Sequence, residues 1–588
     1  MYWLKAKTKG ASILLTSAVL LGSSFYNFSP LDAIAKNDGK IVQSYGKNNL
    51  NPAKPYPNAR KNNQAESLVT AEESTFFSTV SIEENSSYNT TSDGDLWPTA
   101  WSDDDMVYAA NGDGKGFNLG APWSDIVVNQ ITGGNPASKN ITGTRLSSGD
   151  QVGSVWNDPN EYNRKPTGMI SVDGDLYLAV QDLNKGGGWR AFNDAPSATI
   201  LKSTDKGKTW EWDKSKPMFD DYIFTTIMFL DYGKDSGNNS DEYVYAYGLD
   251  YNWRDSFIDT VPDPTGLYLA RVPKTSIQDR STWEFYSGDL KGEEKWTKNI
   301  KQKRPVLQDE RRVYTDTLFA TNPDNSTVLS QGSVVYNKPL NRYIYTSWTE
   351  FTFEFYESPT PHGPWKKFLS KDFGVYPWFN HHHGGYGVVM PSKYISADGT
   401  EMWVNSNTFM GGLQKYNLSF RKLKATPYKE TTPTNESSDL NLALPANSSN
   451  VTPVSIYSAH GSNLKFLNDG NKSQSEDSWN GLRKQEDSWG YTWSQAYNMN
   501  KVVYTTGNIF PDGGWFNDIK VQVRQNFKWV DVENLEGEPA YPNNNSAGKN
   551  QSYTFTFDKT WGDGVRIIGA PGGAATFTSI GELEVYFK

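Results

Sequence analysis

Cysteine is absent from the chain. That excludes a disulfide framework and leaves stability to apolar cores or a bound metal. Histidine is scarce, at five in 588 residues, so any cluster of it carries weight. Basic runs are missing too, with 57 Lys+Arg against 67 Asp+Glu. A nucleic-acid binder needs a basic footprint to neutralise phosphates, so that class is excluded. The apolar run Ala11 to Gly22 falls short of the roughly 20 residues that span a membrane. Lys5, Lys7 and Lys9 precede it and Ala33-Ile34-Ala35 follows it, the pattern of a signal peptide over 1–35. The protein is therefore expected to be secreted, extracellular or attached to a cell surface, without a membrane span after cleavage. A helical period is also missing between 92 and 424.

What the chain has in abundance is aromatic residues, at 14%. They suit pleated, half-buried strands, and their flat rings also suit the C–H faces of sugars. Residues 36–91 are polar and aperiodic and read as a flexible extension. From D-G-D-L-W (Asp93 to Trp97) onward, Asp/Gly turns alternate with short aromatic strands, as in D-G-D-L-Y-L-A-V (Asp173 to Val180) and N-R-Y-I-Y-T-S-W (Asn341 to Trp348). Such quasi-repetition predicts an all-β fold with a β-propeller over 92–424. The groups 93–150, 166–212, 222–286, 330–368 and 385–424 give five blades, with seven smaller ones or a two-sheet sandwich as alternatives. Thr, Pro, Asn and Ser mark a linker over 425–453, and residues 454–588 form a second β domain.

S-T-D-K-G-K-T-W, Ser203 to Trp210, resembles the aspartate box of sialidases and other glycan-active propellers. The box lies outside a blade and does no chemistry. G-Y-G-V-V-M-P-S-K-Y (Gly385 to Tyr394), S-P-T-P-H-G-P-W (Ser358 to Trp365) and P-T-G-L-Y-L-A-R-V (Pro264 to Val272) resemble a bacterial propeller family of unknown function that includes enzymes cleaving D-arabinan. In the C-terminal domain, Asn468-Asp469-Gly470-Asn471, G-V-R-I-I-G (Gly564 to Gly569) and S-I-G-E-L-E-V-Y (Ser579 to Tyr586) resemble discoidin-type jelly rolls, the coagulation-factor C-domain type that serves as a carbohydrate-binding module. That resemblance implies a β-sandwich with a structural calcium, for which Asp469 and Glu582 are the candidates.

Three stretches could carry chemistry. In W-S-D-D-D-M-V-Y, Trp101 offers a ring for a sugar, and crowding among Asp103, Asp104 and Asp105 would raise a carboxyl pKa. The resemblance to arabinanase- and xylosidase-like enzymes implies a catalytic Asp on the first innermost strand, and this triplet falls in the first blade. In W-T-E-F-T-F-E-F-Y-E, alternation puts Glu350 and Glu354 on one face and Phe351, Phe353 and Phe355 on the other, which suits a desolvated general acid. F-N-H-H-H-G-G-Y-G holds His381, His382, His383 and Tyr386, a spacing compatible with metal ligation or proton transfer. Arg164, Arg254 and Arg271 could grip a sugar carboxylate. Together these readings describe a secreted, monomeric, polysaccharide- or glycoconjugate-degrading glycoside hydrolase with a carboxylate pair. A lyase using a His381–His383 or Tyr386 base on a uronate is the enzymatic alternative, and a non-catalytic glycan binder is the other.

Overall fold

The computed structural model describes residues 69–82, 88–185, 194–254, 261–313, 327–349, 351–373, 385–407, 416–429, 431–456, 464–479 and 483–588. Alternating aromatic and β-branched residues between tight turns give antiparallel strands, and the strands gather into five successive blades. Blade 1 comprises an interrupted innermost strand, Asp93–Asp95 and Thr99–Trp101, then Val107–Gly116, Ser124–Thr132 and Thr142–Ser148. Blade 2 is Tyr162–Val172, Asp175–Asn184 and Ala198–Ser203. Blade 3 begins with Thr226–Asp231 and blade 4 with Ser333–Asn337, whose parallel pairing at Leu230↔Val334 joins the two innermost strands. Blade 5 runs Tyr386–Val389, Glu401–Asn407 and Ser419–Pro427.

The ring closes on apolar packing. Five buried clusters fill the seams between neighbouring blades, as when Trp97 and Val107 of blade 1 meet Tyr394, Trp403 and Phe420 of blade 5. The cluster between blades 4 and 5 also takes in Leu96, Leu183, Ala195 and Trp253 from the other three. Five seams around a circle require five blades. Along the axis, Thr99, Thr167, Met228, Ser333 and Val389, one from each blade, leave a space of only about 20 Å³. That holds little more than one water, so a ligand must lie on a face of the propeller.

Each innermost strand starts on one face of the propeller, the upper, and ends on the other, the lower. The aspartate box forms the turn its residues imply. Asp205 Oδ1 accepts from the Thr209 and Lys208 amides at 2.9 and 3.2 Å, and Gly207 takes φ +83°. Trp210 is buried and donates to Ser147 at 3.1 Å.

Two segments depart from expectation. Phe77–Ile82, inside the stretch read as a flexible extension, pairs with Ser419–Pro427 and completes blade 5. Its short F-S-T-V-S-I alternation is masked by polar surroundings, and the open edge of the last blade gives it a partner. Within 425–453, read as a linker, Leu442 and Ala443 are buried in the C-terminal core, and the Leu442 amide donates to the Val585 carbonyl at 2.8 Å. Two apolar residues in a polar segment were enough to dock it.

The C-terminal domain is a β-sandwich-like sheet dominated by two long strands, Asp487–Thr506 and Ser552–Gly569. Bulges between Thr492 and Tyr497 let the strands curl over a core of Trp489, Tyr491, Trp493 and Phe555. Arg524 of this domain donates to the Ser78 carbonyl of the closing strand at 2.7 Å, and Tyr428 packs on Phe527 with ring centroids 4.5 Å apart.

Candidate active site

The break in the first innermost strand builds the site. Leu96 and Trp97 adopt left-handed φ of 69° and 51°. Trp97 is thereby buried between blades 5 and 1, where its indole donates to the Gly94 carbonyl at 2.8 Å. The Leu96 amide donates to Asn407 of blade 5 at 3.2 Å, which pins the break. Asp95, just before it, sits near the upper end of the strand with a side chain that is almost wholly buried.

Two tyrosine hydroxyls, from Tyr386 and Tyr416, donate to Asp95 Oδ2 at 3.0 Å each. Asp95 Oδ1 is buried without a hydrogen-bond partner among the described residues. Burial, reinforced by the nearby Asp113 charge, pushes the Asp95 carboxyl up to about 7; Lys165 and the two tyrosines only partly oppose this. Asp113, near the upper end of the second strand at φ 38°, is ion-paired with Lys165 of blade 2, whose side chain is 2% exposed. Gly112 permits this approach, because a Cβ there would lie 2.5 Å from Asp95 Oδ1. The result is a buried carboxyl that holds its proton near neutrality beside a second carboxylate fixed by a lysine. That combination can both give and take a proton.

The residues expected from the sequence are distributed widely. Asp103, Asp104 and Asp105 form an exposed turn on the lower face, at the other end of the strand from Asp95. Crowding was expected to raise their pKa values, but Asp103 is lowered, first by its hydrogen bond from Lys206. Asp105 is lowered too, first by the Trp101 indole at 2.9 Å and then by Lys393 and Lys234. Exposed acids on a turn meet lysines and water more readily than one another. Trp101 is thus committed to Asp105 on that lower face.

Glu354 does share a face with Thr352, opposite Phe353 and Phe355, but it is fully buried. It accepts from Thr352, Ser370 and Arg311 at 2.8, 2.7 and 3.0 Å, and Arg311 also grips Asp309. Such a saturated carboxylate serves as a structural anchor. Glu350, His381, His382 and His383 lie outside the described residues. Tyr386 is the one catalytic candidate that the structure brings to Asp95.

The three arginines do not converge. Arg164 is bound to Asp125 and Asp150, and Arg254 is buried against Trp253 and Trp348. Arg271 pairs with Glu284 and Glu294 towards the outer edge of blade 3. In the C-terminal domain Asp469 is exposed, while Glu582 is buried and accepts from the Gly470 amide at 3.2 Å. Burial and the neighbouring Glu584 raise the Glu582 carboxyl, and its Oε2 has no partner among the described residues. Those residues contain no group of three or more His, Cys, Asp or Glu side chains placed to hold a metal.

Sequence reasoning missed Asp95, Asp113, Lys165 and Tyr416. A signal existed in N-G-D-G-K (Asn111 to Lys115), which places an acid, Asp113, at the end of a largely buried strand.

Residues 88–397 match the family model described as a domain of unknown function, DUF4185. No curated protein matches the chain. Among solved structures, a presumed hydrolase from Bacteroides ovatus is similar at 13% identity over 57% of this chain and 86% of that one, with a TM-score of 0.34. A family 32 carbohydrate-binding module from Clostridium perfringens, solved with galactose, is similar at 20% identity over 23% of this chain and 93% of its own, with a TM-score of 0.19. Another module of that family, from a family 31 glycoside hydrolase of Clostridium perfringens, shows 19% identity over 24% and 91%, with a TM-score of 0.20. At these scores the structural likenesses carry nothing about ligand or reaction.

Proposed function

The chain belongs to the DUF4185 family, and from the carboxylate centre on its upper face we propose that it is a glycoside hydrolase. The observation that carries this reading is the buried Asp95, pushed up to about 7, beside the ion-paired Asp113. Asp95 donates its proton to the glycosidic oxygen as the C1–O bond breaks. Asp113 supplies the second carboxylate, attacking the anomeric carbon or taking a proton from the attacking water according to its separation from Asp95. Lys165 holds Asp113 in place through their ion pair. Tyr386 and Tyr416 orient the acid and stabilise its anion once the proton has left.

The C-terminal domain complements this as a glycan-binding module. Trp479 and Phe510, 40% and 37% exposed, flank Phe577 and offer ring faces to a sugar. If calcium binds there, the buried free oxygen of Glu582 and the nearby Asp469 would be its side-chain ligands. The signal-peptide pattern of residues 1–35 supports a location outside the cell.

The test is to incubate purified protein with plant, algal and mycobacterial polysaccharides. A hydrolase releases reducing ends without the ultraviolet absorbance of an unsaturated uronide. That absorbance would instead favour the lyase reading, with Tyr386 as base, and binding without products would favour a lectin.

A further inference from the structure

The Asp95–Asp113 centre uses the blade 1 side of the innermost strand Tyr162–Val172, where Lys165 points. Side chains alternate along a strand, so Tyr162, three residues earlier and roughly 10 Å higher, points to the blade 3 side. Its hydroxyl interacts there with Asn184, Tyr222 and Asp194. The Tyr222 ring stacks on Tyr251, with centroids 6.4 Å apart and planes 25° apart, and both rings are half-buried. These residues come from strand ends and connections of blades 2 and 3 on the upper face.

The backbone is held in unusual conformations here. Asp194, Tyr222 and Tyr251 take φ of 51°, 62° and 67°, a region costly for bulky L-residues. Backbone bonds over-determine it: Ala195 donates to the Tyr251 carbonyl at 2.8 Å, Tyr251 to Tyr222 at 2.7 Å and Tyr222 to Pro196 at 3.2 Å. Strain maintained in this way clusters at ligand sites. Burial and the neighbouring Glu161 push the Asp194 carboxyl up to about 7, so near neutrality it can both donate and accept. An anionic sugar would meet two carboxyl groups, Asp194 and Glu161, whereas a neutral one would find ring faces and hydrogen-bonding groups suited to hydroxyls.

We infer that Tyr162, Asp194, Tyr222 and Tyr251 form a second subsite beside the catalytic centre, holding a neutral sugar residue of the chain being cut. This rests on the hydrolase reading. The experiment compares wild type with Tyr222→Ala, Tyr251→Ala and Tyr162→Phe on arabinan, xylan and polygalacturonate, and on the shortest oligosaccharide that wild type cleaves. The expected result is cleavage of a neutral polymer, with kcat/KM on it reduced at least tenfold by the alanine variants and about threefold by Tyr162→Phe, and with little change on the short substrate. Equal losses on both substrates, no loss on either, or a preference for polygalacturonate would overturn the subsite. Tyr162→Phe removes one hydroxyl and keeps the ring, so its result stands if the alanine variants fail to fold. Wild type that releases no reducing ends from any of these substrates, or releases an unsaturated uronide, would instead sink the hydrolase reading, leaving the two failures distinguishable.

Discussion

The two faces of blade 1 carry acids of opposite character. On the lower face three consecutive aspartates stand in water, and lysines from blades 2, 3 and 5 hold Asp103 and Asp105 ionised. On the upper face a single aspartate is buried under two tyrosines and keeps its proton to about pH 7. Density of charge marks the first in the sequence, and only burial marks the second. For a carboxyl, desolvation outweighs crowding, because exposed like charges are screened and find counter-ions.

Substitutions at the two ends set that contrast to a test. Asp95→Asn or Asp113→Asn should lower kcat/KM for glycan hydrolysis by about 10²–10⁴-fold. Asp103→Asn and Asp105→Asn should leave it within about twofold, and a comparable loss from either would break the contrast. A third kind of acid is the saturated one. Glu354→Gln takes the anion from Arg311 and should cost about 2–3 kcal/mol in denaturant unfolding, with KM unchanged in the folded fraction.

A smaller effect concerns pH. Asp95 has a folded pKa near 7 against an ordinary value of 3.8, so between these the folded chain binds a proton that the unfolded chain has lost. Stability therefore falls as pH rises through that window and stays lower above it. Asp95→Asn removes the penalty and should raise Tm by a few degrees at pH 8, with the gain vanishing towards pH 4; a gain of equal size at both would point to packing alone. Smallest of all, Asp103→Asn should shift stability by only about 0.5 kcal/mol and lose even that in high salt.

Much of the fold was legible because strand alternation and turn chemistry are local. The five sequence groups coincide with five blades, and the box at Ser203 to Trp210 forms the expected turn on blade 2. Phe77–Ile82 was not legible as a strand, since its partner lies more than 300 residues away. The site was less readable for a similar reason. Tyr386 stood out beside the histidines, but pairing it with Asp95 requires knowing that the first and fifth blades adjoin. Placing a catalytic aspartate on the first innermost strand left open which end of that strand carries it, and the crowded triplet drew attention to the lower one.

The measurement that bears most directly on Asp95 is the pH dependence of kcat/KM on a cleaved neutral glycan. A proton donor with its pKa near 7 predicts a descending limb centred there. A profile that stays flat from pH 6 to about 9 would contradict the assignment of Asp95 as the acid.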